Sequence, residues 1–147
     1  MIVRTDSENR DFIKLVEFLN SDLAERDGVN HPLSQFNTIE NIKYVVLAYE
    51  HHKPIGCGAI VQLELNTVEI KRMYVLPEFR GKRIANHILS ELENWAKELG
   101  NSRCILFTGI NQPEANKLYE RNAYKGIRKY GELIELPDCL CFAKDLE

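Results

Sequence analysis

Residues 69–85, EIKRMYVLPEFRGKRIA, contain the pattern that decides the fold. The first part has the branched and aromatic side chains of a strand, predicted over residues 68–76 and ended by Pro77. The second part turns at Gly81 and opens onto a long amphipathic helix, predicted over residues 80–99. A strand that runs through a tight turn into such a helix indicates an α/β protein.

The turn between this strand and this helix carries three cations, Arg80, Lys82 and Arg83. A helix start offers unpaired N–H groups and the positive end of the helix dipole, so it binds phosphate readily. Cations at that end oppose the dipole, which is unfavourable unless an anion is usually present. We therefore predict an anion site, against the alternative of a solvated basic surface. The fingerprints of nucleotide-triphosphate and dinucleotide loops are absent.

The remaining elements follow from apolar spacing and turn residues. A first strand is followed by a helix that begins after Asp6 or Ser7, and residues 26–41 form a long polar loop. Further strands are predicted over residues 43–50, 55–65, 103–108, 124–129 and 139–144, and a second helix over residues 112–122 with Asn111 as its cap. This order predicts one α/β domain over residues 1–147, with helices packed on a mixed, mostly antiparallel sheet.

Composition excludes several classes of protein. The 147 residues have a net charge of −3, which does not suit a dedicated nucleic-acid binder. The longest apolar run, residues 44–49, is far shorter than the roughly 20 residues of a membrane span, and the N-terminus lacks the apolar segment of a secretory signal. We therefore expect a cytoplasmic protein without a membrane or nucleic-acid partner.

The cysteines and histidines do not indicate a metal site. No C-x-x-C spacing is present, and we predict four reduced and mostly buried thiols. Cys57 lies between two glycines without a recognisable partner base, so a structural thiol explains it better than a nucleophile. His51 and His52 are neighbours at a strand end and should point apart, which favours a solvated turn.

Three segments together resemble the Gcn5-related N-acetyltransferases, over residues 54–126. The segment RGKRIA at residues 80–85 matches the first and last positions of that family's pyrophosphate motif, [Q/R]-x-x-G-x-[G/A]. The strand before it and the segment NQPEANKLYERNAY at residues 111–124 are similar as well. Arg83 and Ala123 depart from the family because they replace glycines. At Arg83 we expect a helical φ, which does not demand glycine.

The resemblance implies direct acetyl transfer from acetyl-CoA to a primary amine of a small molecule or peptide, without a covalent enzyme intermediate. Tyr119 is implied as the acid that protonates the departing thiolate. The resemblance also implies the contacts with the cofactor. The pantetheine arm would pair with the strand backbone at Met73, Tyr74 and Val75. The pyrophosphate would be held by the turn and helix start at Arg80, Gly81, Lys82, Arg83, Ile84 and Ala85, and Asn111 would contact the cofactor as well.

The general base is less sharply indicated. Glu69 lies eleven residues before Arg80, where some family members place a catalytic glutamate, and an ammonium must lose a proton before it attacks. Two alternatives to this role remain: Glu69 forms an ion pair with Lys71 and is structural, or a chain of water molecules accepts the proton.

The acceptor side is predicted to consist of the loops at residues 26–41 and 130–138. His31 is the one histidine expected near substrate, and Glu132, Glu135 and Asp138 would suit a cationic amine or be plain surface. A homodimer is compatible with this interpretation. The alternative function is a non-catalytic module of the same fold that senses CoA or binds a partner, although Tyr119 and Glu69 favour an enzyme.

Overall fold

A seven-stranded sheet forms the centre of the molecule in a computed structural model that describes residues 1–27 and 41–147. Its spatial order is β1-β2-β3-β4-β5-β7-β6. The strands are β1 Ile2–Thr5, β2 Tyr44–Glu50, β3 Lys53–Glu64, β4 Thr67–Val75, β5 Arg103–Gly109, β6 Lys125–Ile127 and β7 Cys139–Asp145. The α-helices of the described residues are α1 Arg10–Asp27, α2 Ile84–Glu98 and α3 Pro113–Arg121, with 3₁₀ turns at Pro77–Phe79 and Gly131–Glu135. The predicted α/β class, element order and mostly antiparallel sheet are confirmed.

The sheet separates between β4 and β5. These two strands form the parallel pair, and it extends only from Thr67–Arg103 to Glu69–Ile105. Beyond Glu69, β4 stays paired with β3 and β5 stays paired with β7. The two strands therefore diverge, and a cleft opens in the middle of the sheet.

A β-bulge lies in β4 beside this cleft. Cys57 pairs with Tyr74 whereas Ala59 pairs with Lys71, so β4 has one residue more than β3 over this interval. Arg72 has a φ of +58° there. A bulge increases the local twist of a strand, which turns the end of β4 away from β5.

Helix α2 packs closely on β3 because two glycines leave room for it. A Cβ atom on Gly58 would lie 2.5 Å from Met73 Sδ and 2.9 Å from both Ile88 Cγ2 and Leu92 Cδ1. This packing fixes the beginning of α2 against the end of β4. The largest fully buried side chains of the core are Phe12, Leu15, Leu47, Ile60, Ile88, Leu89, Leu92 and Leu106.

The predicted start of α1 is wrong. The helix begins at Arg10 because Asn9 is the cap, with its Oδ1 accepting hydrogen bonds from the N–H groups of Asp11 (2.9 Å) and Phe12 (3.2 Å). Ser7 is not available as a cap, since its hydroxyl accepts a hydrogen bond from the N–H of Ile42.

The starts of α2 and α3 also differ from the prediction. Helix α2 begins at Ile84 rather than residue 80, because Gly81 and Arg83 have positive φ angles of 81° and 65°. Helix α3 begins at Pro113 with Gln112 at the cap position, so Asn111 is not the cap. Strand β6 is shorter than the predicted 124–129. No helix in the described ranges is long and apolar enough to cross a membrane.

Candidate active site

A cavity of about 780 Å³ occupies the cleft between β4 and β5. The C-terminal half of α1, the end of β4, the turn before α2 and one face of α3 form its walls. The predicted site residues that line it are Met73, Tyr74, Val75, Arg80, Gly81, Arg83, Ile84, Ala85 and Tyr119. Three others, Lys82, Asn111 and Glu69, are not among the described lining residues.

The end of β4 presents backbone groups to this cavity. The N–H of Leu76 donates to the carbonyl of Ile55 across the β3–β4 pair, at 2.9 Å. In an antiparallel pair successive residues point their backbone groups to opposite sides, so those of Val75 face away from β3 and towards the cleft. The Val75 carbonyl accepts a hydrogen bond from Arg80 Nε at 2.9 Å, which agrees with this direction.

The turn from Arg80 to Arg83 presents the start of α2 to the same cavity. Arg83 occupies the cap position with a left-handed φ of +65°, so the prediction of a helical φ at this residue is wrong. Its carbonyl accepts the N–H of His87, the first bond of the helix. The first-turn residues Ile84, Ala85 and Asn86 line the cavity, and the N–H groups of a first turn have no partner within the helix.

The lining of the cavity has many more positively charged than negatively charged side chains. Its described lining has six cationic side chains and two carboxylates, and both carboxylates pair with Arg26. The cations are Arg26, Lys71, Arg72, Arg80, Arg83 and Arg121, and the carboxylates are Asp22 and Glu114. Together with the free amides of α2, this charge fits a ligand with several phosphate groups.

Tyr119 places a phenol against the cavity wall. The residue is 4% exposed, and its ring lies edge-on to Tyr124 (5.5 Å between centroids) and 6.3 Å from Phe142. Among the described residues, none hydrogen-bonds to its hydroxyl. Burial raises the pKa of Tyr119 above its ordinary value, so the hydroxyl keeps its proton at neutral pH.

Glu69 is located where the cleft begins, at the last paired position of β4 and β5. It is buried, with Oε2 accepting a hydrogen bond from the Tyr130 hydroxyl at 2.6 Å and Oε1 lying 3.7 Å from Lys71 Nζ. The ion pair with Lys71, which the sequence offered as an alternative, is therefore present. Sequence reasoning missed Tyr130, because 61 residues separate it from Glu69 and no motif links them.

Other candidate residues lie apart from the cavity. Lys82 lines a second hollow of about 560 Å³ on the other side of the α2 start, together with His51, His52 and His87. Within the described chain, the acidic residues of the 130–138 segment do not line the main cavity. Residues 28–40, which include His31, lie outside the described residues.

The cysteines agree with the prediction of buried thiols. All four are free and buried. Cys57 has no exposed surface, and burial raises the pKa of its thiol to about 12. Such a thiol is a poor nucleophile, since the reactive thiolate is scarce at neutral pH.

Comparison with known proteins identifies the family. The model of the acetyltransferase (GNAT) family matches residues 12–124, which is most of the chain. The protein belongs to this family. The prediction from the resemblance is confirmed at this level, and the GNAT match includes the strand end, the turn and the parts of all three helices that line the cavity.

Individual relatives agree with this assignment. The chain is 35% identical over 93 residues, 63% of its own length, to an IAA acetyltransferase of Azospirillum brasilense. A solved structure described as an acyl-CoA N-acyltransferase from Klebsiella pneumoniae superposes with a TM-score of 0.85 at 26% identity, covering 100% of this chain and 97% of that one. The PaiA N-acetyltransferase of Thermoplasma acidophilum, solved with coenzyme A, shares the fold with a TM-score of 0.74 at 17% identity over 99% of both chains.

The curated relatives are longer than the aligned part. The chain spans 61%, 52% and 64% of the length of three curated relatives that it matches. Family membership therefore describes the domain that these relatives share.

Proposed function

We propose that the chain is one N-acetyltransferase domain that transfers an acetyl group from acetyl-CoA to a primary amine. The single observation that carries this proposal is the cavity between the diverging strands, which joins an open strand backbone, a cationic helix start and a buried phenol. Membership of the GNAT family and the names of the relatives support it.

The residues of the cavity fit acetyl-CoA. Arg80, Arg83 and the amides of Ile84 and Ala85 would hold the pyrophosphate, since amides at a helix start and guanidinium groups both bind phosphate. The backbone of Met73 and Val75 would hydrogen-bond to the amide-containing arm of the molecule. When bound, acetyl-CoA supplies an acetyl group activated as a thioester.

Tyr119 would act as the general acid. Its hydroxyl holds a proton inside an apolar wall formed with Ala115 and Leu118, and donation of that proton to a thiolate is the acid step that acyl transfer to an amine needs. The raised pKa keeps the donor protonated throughout the physiological pH range.

Glu69 would act as the base. Its carboxylate lies where the cleft begins, next to the ammonium of Lys71, and Lys71 lines the cavity. Removal of a proton from an acceptor ammonium would leave a neutral amine that can attack. Other contacts of the site, such as that of Asn111, remain predictions of the family resemblance.

Ligand-dependent unfolding tests the cofactor half of the proposal. CoA at a hundred times its Kd should add about 2.7 kcal/mol to the free energy of unfolding. Arg80→Gln should weaken CoA binding by roughly tenfold or more, the loss of one charged hydrogen bond. Arg103→Gln removes an equal charge from a residue that does not line the cavity, and it should bind CoA like the wild type. A melting curve unchanged by millimolar CoA would contradict the proposal.

Release of free CoA from acetyl-CoA across a panel of amines and peptides tests the catalytic half. Tyr119→Phe keeps the buried ring and removes only the proton donor. We expect kcat to fall about 10²-fold, with CoA binding and melting temperature nearly unchanged. Full activity of this variant would exclude the acid role, and CoA binding without release on any acceptor would favour a non-catalytic CoA sensor.

A further inference from the structure

Tyr130 makes a long-range hydrogen bond to the predicted base. Its hydroxyl donates to Glu69 Oε2 at 2.6 Å, from the residue that immediately precedes the 3₁₀ turn Gly131–Glu135. Glu69 is buried and Tyr130 is half-buried, and a hydrogen bond to a charged group is worth more in such surroundings than in water.

The two carboxylate oxygens of Glu69 have different partners. Oε2 is taken by Tyr130, whereas Oε1 faces Lys71 Nζ across 3.7 Å, a distance too long for a hydrogen bond. Lys71 is a lining residue of the cavity and Glu69 is not, so Oε1 is the oxygen that faces a lining residue. In the proposal that follows, Oε1 is the oxygen that accepts a proton.

The segment around Tyr130 is well anchored. Leu133 is buried, and its N–H donates to the Tyr130 carbonyl at 3.1 Å. Leu133 packs in one apolar cluster with Cys139 and Cys141, and Tyr130 and Phe107 pack against it. This cluster fixes the phenol relative to β5 and β7, the strands on the far side of the cleft from β4.

We propose that Tyr130 is a positioning residue for Glu69, which it holds with one oxygen bound and the other directed to the acceptor. In the step that this prepares, an N–H bond of the acceptor ammonium breaks and an O–H bond forms at Oε1, directly or through one water. The electron pair of the broken bond stays on nitrogen and makes it the nucleophile. This inference rests on the proposed function.

Charged and titratable groups surround Glu69. They are the Lys71 ammonium on β4, the Tyr130 hydroxyl, and beyond it the Cys139 and Cys141 thiols on β7, whose pKa values burial raises. Tyr130→Phe would remove the hydrogen bond to Oε2 and leave the Lys71 ammonium in place. The orientation of the carboxylate would then change, whereas the charges around it would not.

Tyr130→Phe tests the proposal by the split between kcat and KM. We expect kcat to fall about tenfold or more, since a hydrogen bond to a charged group is worth about that much, while the KM for acetyl-CoA stays near that of the wild type. Added to Glu69→Gln, the same substitution should cause little further fall, because the base that it positions is already absent. Tyr49→Phe is a matched control, because Tyr49 donates to Asp11 Oδ2 at the same 2.6 Å outside the cavity. A structural role alone would lower the melting temperature of Tyr130→Phe and leave its kcat near that of the wild type, and that result would overturn the proposal.

A second measurement separates this inference from the proposed function. The ¹³C signal of the Glu69 carboxyl, assigned with Glu69→Gln, can be recorded at one neutral pH without any substrate. Its chemical shift should change in Tyr130→Phe and in Tyr130→Leu, which removes the same donor with different packing, but not in Tyr49→Phe. Equal chemical shifts in the wild type and both Tyr130 variants would overturn the proposal. Absence of CoA release by the wild type would instead contradict the proposed function.

Discussion

Two residues at turns, one before α2 and one after α3, have a backbone conformation that normally belongs to glycine. Arg83 and Ala123 stand where the family resemblance has glycines, and their φ angles are +65° and +70°. The left-handed region brings Cβ close to the following carbonyl in an L-residue. Both turns therefore have the conformation that suits glycine, although neither residue is glycine.

Replacing these residues by glycine should stabilise the protein. Arg83→Gly and Arg83→Ala remove the same charge, so their difference isolates the backbone, and we expect the glycine variant to be more stable by about 1 kcal/mol. Ala123→Gly should give a similar gain over the wild type. Urea denaturation measures these differences, and a glycine variant less stable than the alanine variant would show that the left-handed conformation carries no cost at this turn.

At the scale of the element, the packing of α2 on β3 positions the helix start that we propose as the anion site. The close approach at Gly58 leaves no room for a methyl group, whereas a Cβ on Gly126 would meet no described atom within 4 Å. Gly58→Ala should lower the free energy of unfolding by about 1–3 kcal/mol, the usual cost of overpacking. Gly126→Ala is the control and should change it little.

The same substitution should also affect ligand binding. Displacement of α2 moves the cavity-lining residues Ile84 and Ala85, so Gly58→Ala should weaken CoA binding in addition to lowering stability. Unchanged CoA affinity in a destabilised Gly58→Ala variant would mean that the helix start is held by its own turn and not by the packing beneath it.

Elements with a strong local signal were predictable from the sequence. The strand, turn and helix at residues 69–98 follow from Pro77, Gly81 and the apolar face of α2, all of which act within a few residues. The start of α1 was missed because a possible cap residue makes a longer-range contact instead. The hydroxyl of Ser7 accepts a hydrogen bond from the N–H of Ile42 and not from the first turn of the helix.

The arrangement of the site was only partly predictable, because part of it depends on contacts between residues that are distant in the sequence. Tyr119 could be assigned to an inward helix face by spacing alone. The contact of Tyr130 with Glu69 depends on how β7 and its preceding loop lie beside the cleft, and no local pattern encodes that. The left-handed turn at Arg83 was missed for a local reason. Arginine disfavours a positive φ, so the residue type at this position does not indicate the turn.

At the scale of the whole molecule, the buried thiols make stability sensitive to alkaline pH. Burial raises the pKa values of Cys57, Cys104 and Cys141 to about 12 each. A thiol in the unfolded chain titrates near 8.5, so the folded state holds these protons more tightly. Their contribution is complete below about pH 8.5 and is lost as the pH rises towards 12. Arg72, whose pKa burial lowers to about 10, acts in the opposite direction but is one group against three.

Urea denaturation at several pH values checks this expectation. The free energy of unfolding should fall above pH 8.5, by up to about 1.4 kcal/mol per pH unit for each thiol. Cys57→Ala lowers stability at every pH through lost packing, but its decline should be flatter because one titrating group is gone. A decline of the same slope in both proteins would show that Cys57 does not contribute.

The short parallel pairing of β4 and β5 also means that the sheet has more than two edges. Past Glu69, the end of β4 has the properties of an edge strand although it lies in the middle of the sheet, because its backbone groups face a cleft rather than a neighbour. Exposed edges invite pairing with other chains, and proteins usually protect them. The proposed ligand has an extended amide arm that would complete this edge as an additional strand does, so the feature that would admit it is one that a folded protein otherwise has reason to avoid.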